Sequence, residues 1–265
     1  MTRSATPPVR LFLYACSLMP FMSLPYISLV YGIDFPFSGF FMLPVWTVDS
    51  LSMPVHELGH AITLWLFGDP AWISMSPEGS IFTLFARREP WILALIYFFM
   101  AEATIWCYLR KKTRALKILC LLIILHAALA FTRAHLILAM YMGQVAELVV
   151  ATWGAYVCLF RGRLPAALPP GSADTFFRTG GVAAGIYIIF ENILQTGLIM
   201  FWTERAALRS QGQGQSHGRH YVDDIGLAAE ALGVGTPATA SAIFVLAICC
   251  LAFLGCWAAT WREES

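Results

Sequence analysis

Leu51-Ser52-Met53-Pro54-Val55-His56-Glu57-Leu58-Gly59-His60-Ala61-Ile62-Thr63-Leu64-Trp65-Leu66-Phe67 is an apolar run holding one ionisable triplet, spaced His-Glu-x-x-His. On a helix, residues four apart share a face, so the rings of His56 and His60 project to the same side one turn apart. Two neutral imidazoles at that spacing hold one zinc ion, and Glu57 between them reaches a water on that ion. The competing reading is a helix with two ordinary buried histidines. Ionisable groups inside a membrane-depth apolar segment are costly unless they are used, and this favours the metal.

Composition sets the run in a bilayer. Of 265 residues 58% are hydrophobic and 12% charged, and mean hydropathy is +0.68. That excludes an ordinary soluble domain and implies an all-α polytopic membrane protein with six to seven transmembrane helices. The net charge of +1 and the lack of a basic run interleaved with aromatics exclude a nucleic-acid partner. The seven cysteines lie in apolar stretches without a CxxC pair, so they read as reduced packing residues.

Taken as a single membrane domain over residues 1–265, the chain divides as follows. A first span is expected at 11–31, kinked by Pro20 and Pro25. Residues 33–90 should hold a re-entrant segment broken by Pro36, Gly39 and Pro44, then a short His-Glu-x-x-His helix, then a hairpin-like loop. Asp49, Ser50 and Ser52 are candidate N-caps for that helix, and Phe67-Gly68-Asp69-Pro70 ends it after about fifteen residues. Ile73 to Phe85 alternates weakly around Pro77 and Gly79, which suggests a small β-hairpin, a possible rail for an extended peptide. Four spans are expected within 91–202, an extramembrane loop at 203–237 and a last span at 239–261. The cluster Arg110-Lys111-Lys112-Thr113-Arg114, supported by Arg161 and Arg163, marks the cytoplasmic side and places the N-terminus there. His217 and His220, in a Gln/Gly-rich stretch, read as solvated. A bacterial inner membrane is the expected location.

A catalytic zinc takes a third protein ligand and keeps its fourth position for water. Glu147 is the first candidate: Gly143 and Gln144 share its helix face, and the glycine lets that helix approach closely. A hydrogen-bonded residue joining two helices is the alternative for Glu147. Asp223, Asp224 and His126 are the other candidate ligands, although the aspartates also suit a cap for a helix over 225–232. Glu102, Glu191 and Asn192, at similar depth, join Gln144 as candidate partners for the ligands' free N–H groups. Gly181-x-x-x-Gly185 reads as close helix packing.

His-Glu-Leu-Gly-His-Ala in an apolar helix, within a short chain of about seven spans, resembles the site-2 protease family of intramembrane zinc metallopeptidases. The resemblance covers Val55 to Phe67, with a weaker echo in the hairpin-like stretch. It implies Zn2+ on His56 and His60, Glu57 as catalytic base, and hydrolysis of membrane-embedded or membrane-proximal peptide segments. The family's third ligand is an aspartate in an Asp-Gly pair. This chain has no such pair, and Asp224-Ile225-Gly226 is the nearest approach. The prenyl-protein and heat-shock metallopeptidases instead use a glutamate on a later helix. Glu147 suits that role, but Ala151 stands where those proteins carry an aspartate. The alternative function is a non-catalytic metallopeptidase-like membrane subunit that binds a partner protein. A membrane protein or peptide substrate, partner subunits and the bilayer itself are therefore the expected partners.

Overall fold

The computed structural model describes residues 8–31, 38–77, 81–160, 172–201 and 218–260. These form eight helices and two strands: α1 (Pro8–Tyr31), α2 (Ser38–Leu66), β1 (Ala71–Met75), β2 (Ile81–Phe85), α3 (Pro90–Leu109), α4 (Thr113–Ala130), α5 (Ala134–Phe160), α6 (Ser172–Phe201), α7 (Gly218–Leu232) and α8 (Thr236–Thr260). Helices α3, α4, α5, α6 and α8 are long and apolar enough to cross a membrane. At 1.5 Å per residue a helix the length of α3 covers about 30 Å, the thickness of a hydrocarbon core. The chain is therefore a multi-pass helical membrane protein by length and composition. Arg161, Arg163 and the 203–217 part of the expected loop, His217 included, lie outside the described residues.

Two expectations are corrected. No short helix follows a re-entrant piece near Leu51, because α2 runs unbroken through 29 residues with Pro44 and Pro54 inside it. Each proline removes one backbone donor, but in an apolar environment the rest of the ladder is worth keeping, and the helix continues through both. Asp49, Ser50 and Ser52 are therefore interior residues of α2 and not caps. Likewise Asp223 and Asp224 do not cap a helix over 225–232. They lie inside α7, which begins at Gly218.

The chain forms two compact units, residues 1–55 with 144–265, and residues 56–143. In the first, α6 packs on α1 and α8, and α7 lies on α8. Leu198 and Ile199 of α6, Ile225 of α7 and Ala240 of α8 bury one another there. Gly185 is where α5 and α6 close together, since a Cβ on it would stand 2.6 Å from the Ala151 carbonyl oxygen. Buried Arg178 of α6 donates to the carbonyls of Cys158 (2.8 Å) and Leu159 (2.7 Å), which satisfies acceptors at the end of α5.

The second unit is organised around the end of α2. Asp69 N–H donates to Leu64 O at 3.0 Å and Gly68 N–H to Trp65 O at 3.1 Å, a Schellman ending with Gly68 at φ +85°. Strands β1 and β2 then pair antiparallel, Ala71 opposite Phe85 and Ile73 opposite Thr83. Arg88 ties the unit together. It donates to Ala130 O (2.6 Å) and His135 Nε2 (2.6 Å), and its Nε stands 3.5 Å from Asp69 Oδ1. Ala61 and Leu64 of α2 pack with Ala71 of β1 and Ala139 of α5.

Candidate metal centre

The site lies wholly in the second unit. His56 and His60, i and i+4 on α2, present their Nε2 atoms 3.0 Å apart, with ring planes at 79°. His56, Glu57 and His60 are buried, 2%, 3% and 9% exposed. Their ligand atoms lie within 4.8 Å of one another, which makes them a metal-capable group among the described residues.

The surroundings decide what these groups present. His60 Nδ1 lies 2.6 Å from the carbonyl oxygen of Ala139 on α5. A carbonyl only accepts, so Nδ1 carries the proton and Nε2 carries the lone pair. This is the arrangement in which a metal-binding histidine is commonly oriented by its other nitrogen. Thr83 on β2 does the corresponding work for Glu57. Its hydroxyl lies 2.7 Å from Glu57 Oε2 and 2.9 Å from the Glu57 carbonyl, and its one proton serves both acceptors. The carboxylate is thus held from the sheet.

Gly143 of α5 supplies the space. A Cβ there would stand 2.5 Å from His60 Nε2 and 2.6 Å from His56 Nε2. Any side chain would crowd both donor atoms at once. Two nitrogens bound to one tetrahedral ion at 2.0–2.1 Å stand about 3.3 Å apart, so a small opening of the present pair admits the ion. Two imidazole donors, a neighbouring carboxylate and a cradle that a methyl group would fill together fit a metal ion.

The other expected site residues are placed as follows. Glu102, in the same unit, is exposed on α3 and is not a partner of the histidines, because it projects from the outward face of that helix. His126 is not one of the gathered ligands. Its ring nitrogens lie 2.8 Å from Leu66 O and 3.2 Å from the Tyr97 hydroxyl, and it stacks on Phe67. Gln144 and Glu147 are buried on α5 in the first unit. In that unit Glu191 accepts from Gln195 Nε2 at 2.7 Å, while Asn192 donates to Ile188 O at 3.0 Å. Asp223 and Asp224 belong to α7.

Sequence reasoning missed Thr83 and Ala139. A threonine in an alternating stretch was the only signal for the first, and a backbone carbonyl leaves none. Compared with family models, curated proteins and solved structures, the chain matches none.

Proposed function

We propose that the protein is a zinc-dependent intramembrane peptidase, similar to the site-2 proteases, acting on membrane-embedded or membrane-proximal peptide segments. The observation that carries this reading is the opposed Nε2 pair of His56 and His60, 3.0 Å apart beside a buried, Thr83-held Glu57. Imidazole donors in a tetrahedral setting suit zinc, which when bound polarises a scissile carbonyl and acidifies water. His56 and His60 hold the ion, His60 in the tautomer set by Ala139. Glu57 takes the proton of the attacking water and delivers it to the leaving nitrogen.

For the third ligand we assign Glu147, a buried carboxylate one helical turn beyond Gly143 on α5. A bond within an intact membrane helix has its backbone shielded and paired, so the substrate is a segment unwound at the site. We place the N-terminus in the cytoplasm of a bacterial inner membrane, from the basic cluster between α3 and α4.

Zinc content and cleavage of a transmembrane reporter peptide, measured on purified protein, test this reading. Wild type should hold about one zinc per chain, and His60→Ala and Glu147→Ala should hold almost none. Glu57→Gln should keep the metal and lose cleavage, by about a thousandfold or more for a missing base acting on bound water. Cleavage surviving in Glu57→Gln would sink the mechanism. Zinc lost with Asp224→Ala but not with Glu147→Ala moves the third ligand. A zinc-loaded wild type that cleaves nothing makes the chain a metal-binding subunit.

A further inference from the structure

Glu102 is poorly placed for a chain that stands alone in lipid. On α3 it lies roughly 18 Å beyond Pro90 and 10 Å short of Leu109, inside the thickness of a hydrocarbon core. It is exposed, and no group among the described residues is bonded to it. Leu93 and Cys107 are buried on the opposite side of the helix, and it is α4 that packs on α3. The carboxyl therefore faces lipid. An ionisable side chain at that depth is costly and marks a contact that something else completes.

The residues around Glu102 identify the partner. Leu95, Phe98, Glu102, Ile105 and Leu109 are all exposed and recur in alternating steps of three and four. That is the heptad repeat of a left-handed helix pair, with positions a and d apolar except for one polar a at the centre. A single polar a position sets register and strand number in such pairs. The flanks alternate in size: Ala94 and Ala101 fall at the g positions, Phe99 and Trp106 at the e positions. In a parallel pair each g meets the next e of the partner, so both times a small residue lies opposite a large ring. Two copies of one chain pair in parallel, because every copy enters the membrane in the same orientation.

We infer that this face of α3 is a homodimer interface, in which Glu102 of each copy is hydrogen-bonded to Glu102 of the other. In a parallel pair a faces a, so the two carboxyls meet at one depth. A carboxyl that holds its proton donates through its O–H and accepts at its other oxygen, so like can pair with like. A basic residue on a foreign helix would also complete Glu102, but only by placing a second costly charge in the membrane. The seam's fit to itself favours the copy. The contact is isologous and closes at two chains. It uses no residue of the metal centre and does not depend on the peptidase reading.

The test reconstitutes full-length protein, labelled at its N-terminus with donor or acceptor fluorophore, in liposomes and follows energy transfer as lipid is added. Wild type should associate, and Glu102→Leu should weaken association about five- to thirtyfold. Glu102→Gln, whose amide also donates and accepts, should stay within about threefold of wild type. Ala101→Leu crowds Trp106 of the second copy and should weaken association at least about fivefold, whereas Ala103→Leu, exposed but off the seam, should change it less than about twofold. All three positions are exposed in the single chain, so an unmoved thermal unfolding curve in detergent shows that the variants fold. Energy transfer absent at every dilution, or equal in wild type and Glu102→Leu, overturns the proposal. Benzoylphenylalanine in place of Phe98 then shows what covers the seam. Cross-links to α3 of a second copy are expected; cross-links to lipid alone, or to a different protein of the native membrane, overturn the proposal as well.

Discussion

Each unit buries a set of ionisable side chains in apolar helices, and the two sets meet that cost in opposite ways. In the residue 1–55/144–265 unit, Gln195 of α6 donates to Glu191, one turn before it, at 2.7 Å. The amide N–H meets the carboxyl oxygen directly. In the residue 56–143 unit, His56 and His60 turn Nε2 toward Nε2, with His60 Nδ1–H already given to Ala139. A proton on His56 Nε2 completes the 3.0 Å contact, and one cation can take its place. Buried polar groups must be paired. The Glu191–Gln195 contact has nothing to exchange, whereas the proton between the two imidazoles can give way to a cation. Donor and acceptor roles, more than residue type, separate a self-contained polar contact from a site.

The largest expected effect that would break this contrast comes from one methyl group. Gly143→Ala places a Cβ 2.5–2.6 Å from both Nε2 atoms. His60 is pinned by Ala139, so it has little freedom to retreat. Zinc affinity, measured by competition with a coloured chelator, should fall about 10–100-fold, the range for disturbing the surroundings of a metal ligand. Undiminished affinity would mean that the ion does not use the space beside both nitrogens, and the imidazole pair would then be only another buried contact.

Much of this was legible in the sequence where the determinant is local. The apolar runs ending at Leu109, Phe160 and Trp261 have the length of a hydrocarbon core, so the ends of α3, α5 and α8 fall within a residue of them. His56 and His60 needed only a helical repeat to be placed together. Proline misled at α2: Pro44 reads as a break and Pro54 as the first turn of a new helix, yet in an apolar setting one helix runs through both. Glu102 and Glu191 looked alike, both acids near the middle of an apolar run. One is exposed on α3 and the other accepts from Gln195 within α6, a difference of helix rotation that sequence depth does not report. Thr83 lies 26 residues from Glu57 and Ala139 lies 79 from His60. Bonds at that range, one of them to a carbonyl that every residue owns, leave no spacing to read.

A smaller effect sharpens the comparison at Thr83. Valine has the shape of threonine without the hydroxyl, so Thr83→Val removes the donor to Glu57 Oε2 and little else. A hydrogen bond to a charged group contributes about 1.5–3 kcal/mol, which corresponds to roughly 10–100-fold in turnover if the bond persists in the transition state. Zinc content should stay at the wild-type level, and Thr83→Ser should recover most of the rate. A Thr83→Val protein that loses its zinc would show that the strand supports the ligands and not the base.

The smallest expected effect on the metal belongs to Gln195→Leu. It removes the donor to Glu191 Oε1 and leaves that oxygen short of a partner in an apolar setting, which should cost about 1–3 kcal/mol of stability. Zinc affinity should change by less than about twofold, because a contact satisfied within α6 owes nothing to the metal. Thermal unfolding and chelator competition on the same preparation separate the two quantities. If Gln195→Leu instead released zinc at unchanged stability, Glu191 would belong to the metal chemistry and would have to be counted with the histidines as one site.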